Sequence, residues 1–250
     1  MQLYPLPNLP LIRPGADLAG LIAASLQTAG LTLSSADIVV IAQKIVSKAE
    51  GRLVRLAGVQ PSAQALELAE ITGKPAAQVE VILWDTAEVI RAQKNLLIVE
   101  SRLGFISANA GVDHSNVSDE PEVLLRLPVD PDASARAIRQ RLAELTAAHP
   151  PVLIIDSHGR PWRQGTVGVV IGLSGLAPVQ DLRGKPDLFG QALQHTEVGF
   201  TDQIAAAASL VMGQAAEGYP VVIVRGLPFT INESAQAADV LRPRATDVFR

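Results

Sequence analysis

Four apolar stretches of strand length limit what this chain can fold into. DIVVIAQ (37–43), PVLIIDSHG (151–159), GTVGVVIGLSG (165–175) and YPVVIVRG (219–226) each centre on Val, Ile and Leu. Such runs read as strands buried on both faces, because β-branched side chains fit a pleated surface and an all-apolar strand leaves no face for water. Strands of that kind need covering layers. ADLAGLIAASLQTA (16–29) spaces its apolar residues by three and four and ends at Gly30, which predicts a helix. Residues 62–72, 76–93 behind Pro75, 132–148 before His149-Pro150-Pro151, 187–195 and 202–215 also read as helices. Residues 95–100 and 104–108 read as a hairpin turning at Ser101–Gly104, and 119–127 as a short helix. Residues 1–14 read as a proline-punctuated extended arm, and the last twenty as a loose helix or tail. Mixed strands and helices without repeats or an obvious linker predict an α/β or α+β arrangement. The order of the strands is not legible from the pattern.

Composition narrows the function classes. Of the 250 residues, 48% are hydrophobic and 18% charged, enough for a sizeable core and too apolar for disorder. The length suits one large domain or two small lobes. Lys and Arg number 21 against 25 Asp and Glu, a net charge of -4, so no basic excess serves a large nucleic-acid footprint. Cysteine is absent, which removes disulfides, thiolate metal sites and thiol nucleophiles and suits a reducing cytoplasm. The opening MQLYPLPNLPLIRPG does not read as a signal peptide, and no run reaches the roughly 18 uncharged apolar residues of a membrane span. A cytoplasmic protein with no nucleic-acid or membrane partner is expected.

Familiar signatures are missing. There is no GxGxxG and no HExxH. Gly213 and Gly218 have the Walker A separation, but Tyr219 stands where lysine is required, and Gly172-Leu173-Ser174-Gly175 falls short of a nucleophile elbow. Four other segments carry chemistry-bearing residues. In Gln43–Arg52, two of the five lysines, Lys44 and Lys48, stand four apart and share a face. Ammonium groups about 4 Å apart repel by about 4 kcal/mol at an effective dielectric of 20, which a polyphosphate relieves; the alternative is a solvated strand end with the lysines paired to Glu50. In Ala108–Val117, small residues permit close backbone approach, Asp113 is a hard ligand for Mg²⁺ or Mn²⁺, and Asn116 can bond a base or phosphate; the alternative is an Asx-type turn, with His114 a surface histidine. In Ile154–Arg163, Asp156 ends an apolar strand beside Ser157, with Arg160 and Arg163 as anion forks; the alternative pairs Asp156 with one of those arginines. In Ser209–Pro220, a helix ends in a loop able to pass around a nucleotide, with Gln214 or Glu217 within reach of a cation; the alternative is an ordinary helix-to-strand connection. Lysines, carboxylates and amides without a nucleophile suit a metal-dependent enzyme that handles phosphate.

Taken in order, QKIVSKAEGR (43–52), NAGVDxSNV (109–117), DSxGRPWR (156–163), IGLSGLxPxxDLRG (171–184) and LVMGQAAEGYPVVIVRGL (210–227) resemble the coenzyme F420-0:L-glutamate ligase family, the GTP-dependent F420 γ-glutamyl ligases, over about residues 8–228. The resemblance implies an α+β fold of mixed sheets with flanking helices and two interleaved lobes. It also implies a single ligase domain over 1–250, a homodimer, and no fused nitroreductase-like domain. It implies ligation of L-glutamate to the lactyl carboxylate of F420-0, then extension of the γ-glutamyl tail, with GTP as co-substrate, Mg²⁺ or Mn²⁺ at two sites, and K⁺ as a helper in some members. Carried over, Leu9, Pro10, Leu11, Ile12, Gln43, Lys44, Lys48 and Asn116 fall to GTP, and Met212, Gly213, Gln214, Ala215, Ala216, Glu217, Gly218 and Tyr219 wrap it. Asp113 and Asp156 fall to one cation, Ser157 and Gln214 to the second. Lys44, Lys48, Asp113 and Asp156 form the catalytic set, acting through an acyl phosphate.

The chain departs from the pattern at His114, where Ala is usual, and at Ser157-His158, where Thr-Phe is commoner. Thr166-Val167-Gly168-Val169 lacks an aspartate expected there, which opens the alternative of a related amide ligase with another carboxylate acceptor. A non-catalytic nucleotide- or deazaflavin-binding protein is a further alternative, against which two metal carboxylates argue.

Overall fold

The computed structural model describes residues 1–247. In chain order the elements are β1 (Gln2–Pro5), α1 (Leu18–Thr28), β2 (Ile38–Ala42), α2 (Gln43–Ala49), β3 (Leu53–Arg55), α3 (Ala63–Thr72), α4 (Ala76–Trp84), β4 (Thr86–Gln93), β5 (Leu96–Ser101), β6 (Ile106–Ala108), β7 (Val123–Leu125), α5 (Pro131–Thr146), β8 (Val152–Arg160), β9 (Arg163–Ser174), β10 (Val179–Asp181), β11 (Glu197–Gly199), α6 (Phe200–Met212) and β12 (Val221–Arg225). The fold is α+β.

The four apolar runs become four strands of one mixed sheet, ordered β1-β12-β2-β8-β9, with β1 and β9 at its edges. Strands β2 and β8 pair in parallel and the other neighbours antiparallel. Ile38–Ile41, Val152–Ile154 and Val221–Val224 are almost wholly buried, as the unbroken hydrophobic runs require. The sheet is covered on both faces. A register shift at Ile154/Ile155 turns Gly168 and Gly172 of β9 to opposite sides. A Cβ on Gly168 would lie 2.5 Å from the Ala205 carbonyl oxygen of α6, and one on Gly172 2.6 Å from that of Pro131 in α5. Glycine at these two positions lets one helix lie on each face.

The chain between β2 and β8 builds a second, smaller core, in which Val79, Ile82, Leu97, Val99 and Leu124 are buried. It holds the three-stranded sheet β4-β5-β6, the pair β3-β7, and helices α3 and α4. Arg126 fastens it, donating to both Asp85 oxygens at 2.7 and 2.5 Å while its guanidinium stacks 5.3 Å above Trp84.

Three expectations are corrected. The helix over 76–93 ends at Trp84, and 86–93 is β4. TAEVIRAQ fits either period, and its hairpin partner β5 decides the matter through a turn at Lys94-Asn95, with Asn95 left-handed (φ 65°). Residues 119–127 contain β7, not a helix: Val123, Leu124 and Leu125 are all buried, and a strand buried on both sides has no period to read. Residues 187–195 form the tip of the β10–β11 hairpin. There Asp187 accepts from the Phe189 and Gln191 amides, Gly190 is left-handed (φ 83°), and Leu188 and Phe189 stand exposed, so a helix would have had nothing to pack against. The arm at 1–14 contributes β1, an edge strand. The tail makes 3-10 turns at Ala237–Val240 and Arg244–Thr246; its last residues, 248–250, lie outside those described.

Candidate functional site

The parallel pairing of β2 and β8 ends at Ala42 opposite Ile155. The next residues are Gln43, which opens α2, and Asp156. Asp156 does not end its strand: β8 runs on to Arg160 paired with β9 alone, so the site lies where β2 stops and leaves that edge of β8 uncovered. Helix α2 starts at once because Gln43 turns inward, 1% exposed; its Oε1 accepts from Ser47 Oγ at 2.9 Å and its Nε2 donates to Asp113 Oδ2 at 2.6 Å. Lys44 and Lys48 then share the helix face toward the cleft. Lys44 pairs with Asp113, and Lys48 donates to the Asn116 carbonyl at 2.8 Å. Burial, then the nearby Lys44 charge, pushes the Lys48 ammonium below its ordinary value, so the lysines do repel. Glu50 takes neither lysine; it accepts from Ser134 Oγ at 2.5 Å and the Val129 amide at 3.3 Å.

Asp113 arrives from the smaller core. Asn109, Ala110 and Gly111 are all left-handed, at φ 57°, 53° and 71°, a reversal that stores strain at the non-glycine positions. Asp113 then exchanges backbone hydrogen bonds with Leu125 at the end of β7, at 2.8 and 2.9 Å. Burial pushes the Asp113 carboxyl above the usual range against the opposing pull of Lys44, and Asp156 pushes it the same way. The two carboxylates are therefore close enough to feel each other. Asp156 is held below the usual range: burial pushes it up, but a hydrogen bond and charge from His158, the Ser157 amide and Lys44 outweigh that.

Opposite α2, the loop after α6 closes the site. Gln214 Oε1 accepts from Ser157 Oγ at 3.0 Å, and Asn116 Nδ2 donates to the Ala215 carbonyl at 2.8 Å. Glu217 turns back to accept from the Ala215 amide at 2.8 Å. Gly213 makes that fold possible, since a Cβ there would overlap the Glu217 carboxylate.

These elements enclose a cleft of about 800 Å³ lined by Leu9–Ile12, Gln43, Lys44, Lys48, Asn116, Asp156, Ser157 and Met212–Tyr219. Asp113 stands behind Gln43 and Lys44, bound to both. Arg13, Ser118 and Asp119 also line it, though no motif singled them out, as does Ser209. Asp156 is not paired with Arg160 or Arg163. Its partner is His158, at 3.1 Å, while Arg160 donates to the Gly165 carbonyl at 3.4 Å and Arg163 is exposed; neither lines the cleft. Separation by two along β8 was the available signal for His158. His114 is exposed, with Nε2 2.7 Å from the Pro121 carbonyl, on the wall of a separate cleft of about 490 Å³.

Chemically, the large cleft offers two ammonium groups from α2, with the Asp113 carboxylate behind Lys44, and across from them the Asp156 carboxylate, the Ser157 hydroxyl and the Gln214 amide oxygen. No three His, Cys, Asp or Glu residues gather as a metal site among the described residues. Asp113 with Asp156, and Ser157 with Gln214, are two pairs of oxygen donors, the chemistry a hard divalent cation takes, and Lys44 already supplies positive charge to Asp113. No helix among the described residues is long and apolar enough to cross a membrane.

A model of the F420-0:Gamma-glutamyl ligase family matches residues 8–226. The chain is 47% identical over 244 residues to the coenzyme F420:L-glutamate ligase of Methanothermobacter thermautotrophicus, spanning 97% of this chain and 96% of that one. It is 44% identical over 253 residues to that of Methanopyrus kandleri, at 100% and 98% coverage. It is 39% identical over 250 residues to that of Archaeoglobus fulgidus, at 100% and 96%.

Proposed function

The chain belongs to the F420-0:gamma-glutamyl ligase family, and on that premise we propose that it uses GTP and a divalent cation to join L-glutamate to the lactyl carboxylate of coenzyme F420-0. The supporting observation is the convergence on one cleft of Lys44 and Lys48 from α2 and Asp156 and Ser157 from β8, with Asp113 of the smaller core bound to Lys44 at its edge.

In this reading the triphosphate lies along α2 under the 212–219 loop. A carboxylate oxygen of F420-0 attacks the γ-phosphorus, the bond to the β–γ bridging oxygen breaks, and GDP leaves. The glutamate α-amine then attacks the acyl carbon, loses a proton, and expels phosphate as the amide forms. Lys44 and Lys48 present fixed positive charge where the transferring phosphoryl group accumulates negative charge, and their preorganisation makes that charge effective. Asp113, Asp156, Ser157 and Gln214 would hold Mg²⁺ or Mn²⁺, which when bound neutralises phosphate charge. The apolar strip Leu9–Ile12 and the 212–219 loop keep water from the acyl phosphate.

The test is a mass-spectrometric ligation assay with F420-0, L-glutamate, GTP and Mn²⁺, omitting each in turn. The expected result is a gain of one or more glutamyl units that needs all four. One observation favours a second reading: Thr166–Val169 of β9 carries no ionisable side chain, and Gly168 is packed against α6. A ligase for another carboxylate would hydrolyse or use GTP yet leave F420-0 unmodified.

A further inference from the structure

Asp156 has a partner outside the proposed nucleotide and cation ligands. His158 stands two residues along β8, so the two side chains share a face, and its Nε2 lies 3.1 Å from Asp156 Oδ2. Both side chains are only 11% exposed. The ring is itself held: Phe105, from the turn between β5 and β6, meets it edge-on, with centroids 6.4 Å apart and planes at 70°. An ionised carboxylate can only accept, so Nε2 carries the hydrogen and donates it. Ser157, between them, points the other way and meets Gln214.

We infer that His158 is a positioning residue for Asp156: its Nε2–H locks the rotation of the carboxylate, so that the remaining lone pairs stay aimed into the cleft that Asp156 lines. The inference rests on the cation reading above. A carboxylate that can spin about its last bond gives up part of its preference for one cation position, and partners that orient a ligand are worth about 10- to 100-fold in metal affinity. Phe105 makes the lock a link between the two cores, because the ring that steadies a sheet residue is steadied in turn by the β5–β6 turn.

The test titrates Mn²⁺ into the GTP-saturated protein and reads the bound ion by water-proton relaxation, against GTP alone, beside a melting curve. His158→Phe keeps a ring against Phe105 and removes the donor; His158→Gln keeps a donor. The expected result is Mn²⁺ affinity at least about tenfold weaker in His158→Phe and within about threefold of wild type in His158→Gln. Wild-type affinity in a folded His158→Phe overturns the inference, as does equal loss in both variants. His158→Ala replaces the phenylalanine variant if that one melts early, with the same expectations. Absence of bound Mn²⁺ in the wild type overturns the cation reading first and the inference with it, a result distinct from the other two.

Discussion

The two halves of the cleft are built differently. On the sheet side, Gln43, Lys44 and Asp156 follow directly from the end of the parallel pairing between β2 and β8, whose paired residues are almost wholly buried. Their place is set by a ladder of backbone hydrogen bonds and a two-sided core. On the other side, Asp113 and Asn116 are delivered by a chain segment that reverses through three left-handed residues, touches β7 by an isolated bridge, and is tied down by side chains. The sheet side is rigid by construction. The inserted side is held by polar contacts reaching across from the sheet, so the site is complete only when the two cores are docked. Elements with fewer buried apolar contacts open locally at lower free energy, and the comparison predicts that the inserted side does so first.

The largest expected effect tests whether both halves carry chemistry. Asp113→Asn and Asp156→Asn should each lower GTP-dependent turnover by about 10²-fold or more, with melting temperatures close to wild type. Full activity in Asp113→Asn would reduce the inserted region to a structural support.

Next come two stability changes. Arg126→Met removes the bidentate partner of the half-buried Asp85 and leaves it Arg52 at 3.7 Å, and should destabilise the smaller core by about 1–3 kcal/mol. Hydrogen exchange should quicken in 53–125 while the five-stranded sheet stays protected. Gly172→Ala forces a methyl group into Pro131 and should cost about 1–3 kcal/mol, quickening exchange in β8, β9 and α5 instead. If either variant loosens both regions equally, the halves are one cooperative unit and the contrast between them fails.

A smaller effect is expected at Lys48, the more exposed of the two cleft lysines to substitution because Asp113 does not depend on it. Lys48→Met should weaken GTP binding about tenfold, or about 1.4 kcal/mol. Equal binding by calorimetry would place the phosphates elsewhere along the cleft.

The smallest lies on the sheet side. Asp202 accepts from the Val170 amide at 2.9 Å, and burial pushes its carboxyl above the usual range. The folded state therefore binds this proton more readily than the unfolded state does, and the ionised form at neutral pH costs stability. Asp202→Asn keeps the acceptor and drops the charge, so it should stabilise by under about 1 kcal/mol at pH 7. As pH falls through the raised folded-state value toward the unfolded one, wild type recovers and the difference should vanish. Melting curves at pH 7 and pH 4 read both.

Much of the fold was legible. The β-branched runs declared β2, β8, β9 and β12, and the apolar spacing declared α1, α3 and α5, because those signals are local. The N-caps Asp17, Ser62 and Asp130 were not read from the pattern, and Asp17 and Ser62 fell inside the helices expected over 16–29 and 62–72. Legibility failed where a segment satisfies two periods or none. TAEVIRAQ became β4 only through its hairpin partner, EVLLR became β7 because both of its faces were covered, and DLFGQALQH stayed irregular because no surface waited for its Leu and Phe.

The site divides along the same line. The types of its residues belong to the sequence: two lysines four apart, an aspartate after small residues, an aspartate and serine closing an apolar strand. Those are short-range facts of spacing and chemistry. That Lys44 meets Asp113, that Gln43 reaches it from 70 positions away, and that His158 rather than an arginine holds Asp156 were decided by tertiary structure alone. Periodicity extends over one element, whereas these contacts depend on which strands lie parallel and on how the insertion between β2 and β8 folds back. Partners so far apart in the chain are chosen by the packing of whole layers, which no local window of sequence contains.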